Sequence, residues 1–301
     1  MRKHLPRYDF TGRASRESKM HKMNVSLFVK RSTSSARPAK DEKDEDFVKR
    51  LTHLKLQDKN IKVIENLDVC VSLQVLYLQD NLLNSMTPLN VCRKLMNLHL
   101  SRNNITEITG LENARGLRKL FLDGNRISTI SGLEGCKMLE ELNVDNQKLP
   151  ENTELTFAPS TIATLSGNLT TLSVTGCNIS SASVFCSLSE LQSLNCSHNK
   201  IKSAKEIVEV LRELKELKKA NFGANPVCKT TKYRETMLVN CNNRLSTLDG
   251  KEIDHRQRDA LIRFAQHRMN KKKHMKAQRE NDSNYSQYNR QPLAQNQQRR
   301  Y

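Results

Sequence analysis

The chain has 301 residues, 50 Lys+Arg against 32 Asp+Glu, a formal charge of +18, and 37% hydrophobic residues with no Trp. The excess charge sits at the ends: residues 1–40 hold 11 basic and 2 acidic side chains, residues 255–301 hold 12 and 3, and the 27 of each sign between them cancel. This excludes a globular nucleic-acid binder of the usual kind, whose basic residues lie on the folded face that meets phosphate, and no run approaches the roughly 18 to 20 apolar residues of a membrane span.

Residues 1–40 are Arg- and Ser-rich and read as a disordered basic tail. Pro6, Asp9 and Glu17 interrupt any targeting pattern and no apolar run follows Met1, so neither an organelle address nor a secretory leader is expected. The folded part is expected over residues 41–254, long enough for one domain with a real core. From Ala39 to Arg50 acidic residues precede basic ones around Phe47 and Val48, the pattern of a short capping helix.

A repeat follows. Leu51, Leu73, Leu95, Leu117 and Leu139 are spaced at 22 residues, and Leu169 and Leu191 resume that spacing. The phase inside each unit also recurs: from Leu95 it runs Leu98, Leu100, Asn103, Ile105, Ile108, Leu111, and from Leu117 it runs Leu120, Leu122, Asn125, Ile127, Ile130, Leu133. The pattern is L-x-x-L-x-L-x-x-N-x-L. It predicts an α/β solenoid: the L-x-L pair lies on a short strand, the strands stack in parallel as a concave sheet, and short helices or 3-10 turns return along the convex side. The Asn of each unit is expected to satisfy backbone groups of the next repeat. Asn81, Asn103, Asn125, Asn199 and Asn225 fill this ladder, with Lys59, Gln147 and Cys177 as imperfect members.

Two intervals depart from the period. Leu139 to Leu169 spans 30 residues and contains Pro150 and Pro159, which predicts an inserted convex loop or helix beginning near Ala158-Pro159-Ser160. Leu191 to Leu217 spans 26, with Ile207, Val210, Leu211 and Leu214 at helical spacing. Asn225-Pro226-Val227-Cys228, Tyr233-Arg234 and Leu248-Asp249-Gly250 then close the last repeat. Residues 255–301 read as a basic helix around Lys271-Lys272-Lys273 that fades into a disordered tail after Gln278.

Function is expected on the concave face. The central residues of the L-x-L units include Tyr77, His99 and Phe121, an aromatic stripe on adjacent strands, followed by Asn143. Asp123, Glu141 and Asp145 lie beside it as an acidic cluster. An exposed aromatic patch rimmed by charge on a rigid sheet suits protein docking. Chemistry is not expected elsewhere. Cys70, Cys92 and Cys136 occupy one apolar position of three repeats and Cys196 replaces a strand Leu, so these thiols read as small buried hydrophobes in a reducing compartment. C-x-x-C, G-x-S-x-G, Walker-type and H-E-x-x-H motifs are missing, so an enzyme, a metal site and a cofactor are not expected.

The repeat units, the Asn225-Pro226-Val227 run and the closing Tyr233-Arg234…Leu248-Asp249-Gly250 resemble the short leucine-rich-repeat class that includes the nuclear phosphatase regulator and several ciliary and centrosomal proteins. The stretch Val144 to Pro150, the insertion with Leu155 to Pro159 and the closing segment narrow the resemblance to leucine-rich-repeat regulatory subunits of protein phosphatase 1. That resemblance implies the phosphatase catalytic subunit as partner. It also implies residence in the cytoplasm, at the cytoskeleton, centrosome or microtubule-organising centre. A short phosphatase-docking motif is missing, so a phosphatase would be held by Tyr77, His99, Phe121, Asp123, Glu141, Asn143 and Asp145. The basic tails suit tubulin or microtubules. No small-molecule substrate is expected, nor nucleic acid.

Overall fold

The computed structural model describes residues 22–32 and 37–288, with side chains described as far as residue 280. The chain divides after Glu252 into two units. The first holds all twelve strands of the described residues, in the following order. Helices α1 (Val25–Arg31) and α2 (Asp44–Lys49) precede strands β1 (His53–Lys55), β2 (Val75–Tyr77), β3 (Asn97–His99) and β4 (Lys119–Phe121). Then come β5 (Thr129–Ile130), β6 (Glu141–Asn143), β7 (Thr156–Phe157), α3 (Pro159–Leu165), β8 (Thr171–Ser173) and β9 (Ser193–Asn195). Helix α4 (Ala204–Glu213), β10 (Lys219–Asn221), α5 (Tyr233–Asn240) and the hairpin of β11 (Thr247–Leu248) and β12 (Lys251–Glu252) complete it.

Ten strands form one sheet in the order β1-β2-β3-β4-β6-β8-β9-β10-β11-β12, parallel throughout except for the final hairpin. Each strand is three residues or fewer, because only the L-x-L core of each unit alternates between interior and surface. Its middle residue is buried in every repeat: Leu54, Leu76, Leu98, Leu120, Leu142, Leu172, Leu194 and, in the last unit, Ala220. Register is set by these residues, since a slip of one would turn the whole Leu row to solvent.

The Asn ladder holds the turns after the strands. Asn125 Oδ1 accepts the Ile105 N–H at 3.0 Å, and its Nδ2 donates to the carbonyls of Leu100 and Leu122 at 2.9 and 2.8 Å. Gln147, expected to be an imperfect member, performs the same three tasks: Oε1 accepts from Ile127 at 2.9 Å and Nε2 donates to Leu122 and Val144 at 2.9 and 3.0 Å. The ladder breaks at Cys177. Its thiol donates to the Val144 carbonyl at 3.2 Å, and the Leu149 N–H turns back to Gln147 O at 2.9 Å. The chain leaves the repeat there.

The insertion is a helix and a strand. Ala158 precedes α3 with Pro159 in its first turn, as the spacing predicts. Ahead of it β7 pairs in parallel with β5 as a separate two-stranded sheet. The longer later interval forms α4, whose Ser203 caps the Glu206 N–H and whose Ile207, Val210 and Leu211 are buried.

Both ends of the large sheet are covered. At the C-terminal edge Asp249 and Gly250 take positive φ (50° and 72°), the backbone a two-residue hairpin turn requires. Arg234 of α5 ties that hairpin down by donating to Leu248 O at 2.9 Å. At the other edge the structure corrects the assignment of residues 1–40 to a tail. Met23, Leu27 and Phe28 are buried, and Asn24 caps α1 by accepting the Leu27 N–H at 2.9 Å. Asn66 Nδ2 donates to Met23 O at 2.7 Å, and Ser32 forms an antiparallel bridge with Leu54 of β1. An open edge strand invites pairing with another chain, and this segment blunts it. Residues 1–21 and 33–36 lie outside the described residues.

The second unit is the helix α6 (His255–Tyr288), which continues past Gln278, where a disordered tail was expected to begin. The rest of that expected tail, residues 289–301, lies outside the described residues.

Candidate docking surface on the concave sheet

Parallel pairing places Tyr77 opposite His99, His99 opposite Phe121, and Phe121 opposite Asn143. Strands about 4.8 Å apart carry aromatic rings at nearly their own stacking distance. The Tyr77 and His99 rings are 4.6 Å apart at 21°, and the His99 and Phe121 rings 4.5 Å apart at 10°. The three rings form one half-buried column with its face edge open to solvent. Burial pushes the His99 pKa below its ordinary value, with Lys119 adding to the effect while Glu141 and Asp123 oppose it. The imidazole is therefore neutral at pH 7 and stacks as a flat polar ring.

The three carboxylates expected to form an acidic cluster are engaged with neighbouring groups. Glu141 pairs with Lys119 Nζ at 2.7 Å. Asp123 accepts the Ser101 hydroxyl and lies 3.9 Å from Arg102, which itself grips Asp80 with two bonds of 2.5 and 2.7 Å. Asp145 accepts the Ser173 hydroxyl at 2.7 Å and the Thr175 N–H at 2.6 Å. The rim is a set of cross-repeat pairs in which Lys119 balances Glu141 and Arg102 is shared by Asp80 and Asp123, while Asp145 has hydrogen-bond donors but no ion-pair partner among the described contacts, so the rim stays net negative. These pairs were legible in principle: residues 80 and 102, like 119 and 141, are one 22-residue period apart, so the repeat makes them neighbours.

Beyond Phe121 the row continues as Asn143, Ser173, Asn195 and Asn221, three amides and one hydroxyl. Asn143 Oδ1 accepts the Asp145 N–H at 2.9 Å, Asn195 Oδ1 accepts the Ser197 N–H and hydroxyl at 3.4 and 2.9 Å, and Asn221 Oδ1 accepts the Gly223 N–H at 3.0 Å. With each Oδ1 committed to the backbone, the Nδ2 groups are left as donors along the sheet. Asn195 and Asn221 thus extend the candidate site, by a signal visible in the sequence as Asn recurring at the surface position that follows the buried strand residue. The concave face has an aromatic half and an amide half.

Among the described residues no group of three His, Cys, Asp or Glu side chains is placed to hold a metal ion. No described helix is long and apolar enough to cross a membrane. Burial raises the thiols of Cys136 and Cys196 to about 12, far from a reactive thiolate.

A leucine-rich repeat family profile matches residues 93–149. Among solved structures, an internalin (InlF) of Listeria monocytogenes is similar at 20% identity and a TM-score of 0.41, with 69% of each chain covered. The functional domain of InlJ from the same organism, described as including a cysteine ladder, is similar at 16% identity and a TM-score of 0.47, covering 79% of this chain and 64% of that one. The parallel concave sheet, the repeated Leu and Asn positions and the profile match give this chain the leucine-rich repeat fold. Its particular form is a solenoid of short 22-residue units, a type of surface used for binding proteins.

Proposed function

We propose that this chain is a non-enzymatic docking subunit that holds a protein partner on its concave face. Tyr77, His99 and Phe121 supply the apolar contact; Asp123, Glu141, Asn143 and Asp145 set its polar margin. The observation that carries this reading is the three-ring column, half-buried on a rigid sheet within a rim of hydrogen-bonded, partly ion-paired carboxylates. Rings held in place by stacking lose little entropy on binding, the property of interface anchors. The insertion and closing segment resemble protein phosphatase 1 regulatory subunit 42. On that resemblance the partner is the catalytic subunit of protein phosphatase 1, met in the cytoplasm at the centrosome or microtubule-organising centre.

Capture of that catalytic subunit by wild type and by Tyr77→Ala/Phe121→Ala tests the proposal. The double variant should bind at least about tenfold more weakly with an unchanged circular dichroism spectrum. Undiminished capture would refute the concave site. The basic α6 supports a second reading, a structural adaptor of cilia, axoneme or centrosome with no phosphatase partner, whose tail meets tubulin. Failure of the wild type to capture phosphatase, with microtubule co-sedimentation abolished by removing residues 255–301, would favour it.

A further inference from the structure

Between His255 and Glu280, helix α6 carries nine Lys and Arg against Asp259 and Glu280 alone. At 1.5 Å per residue its 34 residues extend about 50 Å. The basic residues surround it: Arg256 and Arg263 lie near one azimuth, Lys272 and Arg279 near another, and Lys273 between them on a third side, as 100° per residue dictates. A helix that lies in a lipid interface needs one broad apolar face, and these charges leave none.

One line along α6 is different. Phe264, Arg268, Lys271 and Met275 follow the spacing i, i+4, i+7, i+11 and so share one side of the helix over about 16 Å. All four are exposed, Phe264 at 61% and Met275 at 49%, and the Arg268 guanidinium lies 5.9 Å from the Phe264 ring. Two apolar knobs flank two cations. Nucleic-acid phosphate offers nothing to the knobs, and a featureless acidic chain offers nothing to their spacing.

We infer that α6 is a helical ligand for a calmodulin-type groove, one lined by methionine and other apolar side chains and rimmed by carboxylates. Phe264 and Met275 enter two pockets about three helical turns apart, and Arg268 and Lys271 meet the acidic rim between them. Helix-in-groove recognition uses anchors at such spacings, and the surrounding positive charge speeds encounter with an acidic partner. None of these four residues belongs to the concave face, and their contact with the groove does not depend on the partner that face takes.

The test uses the full chain with three probes at physiological salt: calcium-loaded calmodulin, polyglutamate, and vesicles containing phosphatidylserine. Calmodulin should bind. Phe264→Ala/Met275→Ala, which retains every charge and suits a helix, should weaken that binding about tenfold or more, while any weak polyglutamate binding is unchanged. No calmodulin binding, calmodulin binding indifferent to the two substitutions, or tighter binding to polyglutamate or vesicles would each overturn the inference.

Discussion

Replacing Asn125 by Ala tests the ladder that joins the repeats. Asn125 is fully buried and serves three backbone groups: the Ile105 N–H and the carbonyls of Leu100 and Leu122. The two carbonyls each keep another donor, Asn103 for Leu100 and Gln147 for Leu122, at 2.9 Å in both cases. The Ile105 N–H keeps none among the described contacts. An orphaned buried donor costs about 1–3 kcal/mol and each lost hydrogen bond about 0.5–1.5 kcal/mol, so Asn125→Ala should destabilise by about 4 kcal/mol. Asn195, on the open concave face, is the control, and its Ala variant should lose less than about 1 kcal/mol. Urea denaturation followed by circular dichroism reads both, provided the m-value is unchanged. At roughly 2–4 °C per kcal/mol for a domain of this size, the melting temperature of Asn125→Ala should fall by roughly 8–16 °C. A loss no larger than that of Asn195→Ala would refute the ladder as the device that binds one repeat to the next.

Three further outcomes follow from the same geometry. Phe28→Ala empties a buried site in α1 and should cost about 3–5 kcal/mol in urea denaturation; an unchanged midpoint would return residues 22–32 to the tail. His99 binds its proton less readily folded than unfolded, so the folded state takes up fewer protons and stability should fall as pH drops through and below the ordinary histidine range. Phe121→Ala exposes the ring and should raise its titration midpoint by NMR, and a midpoint that stays put would show that the stack does not cause the shift. In the native protein a thiol reagent should label the half-exposed Cys186 and Cys228 first and leave Cys136 and Cys196 untouched until unfolding.

The repeat, its concave strands and most of the Asn ladder were readable from residue spacing, because a solenoid is built from contacts one period apart and its pattern is written locally. The aromatic column followed from the same arithmetic: equivalent strand positions in successive repeats must be neighbours. Four features needed the third dimension. Gln147 serves as a ladder amide because the turn around it accommodates one more methylene, which residue type alone does not disclose. The carboxylates beside the column are engaged by side chains, two cations and two hydroxyls, whose rotamers decide which partner they reach. The insertion becomes a strand because β5 offers it an edge. Met23, Leu27 and Phe28 form a cap because β1 leaves an edge and an apolar end uncovered; their i, i+4, i+5 spacing spans too short a segment to be read as a buried helix, and their burial exists only where the sheet ends. Sequence alone determined what is repeated, and tertiary structure decided how the repetition stops and which of its surface charges remain free.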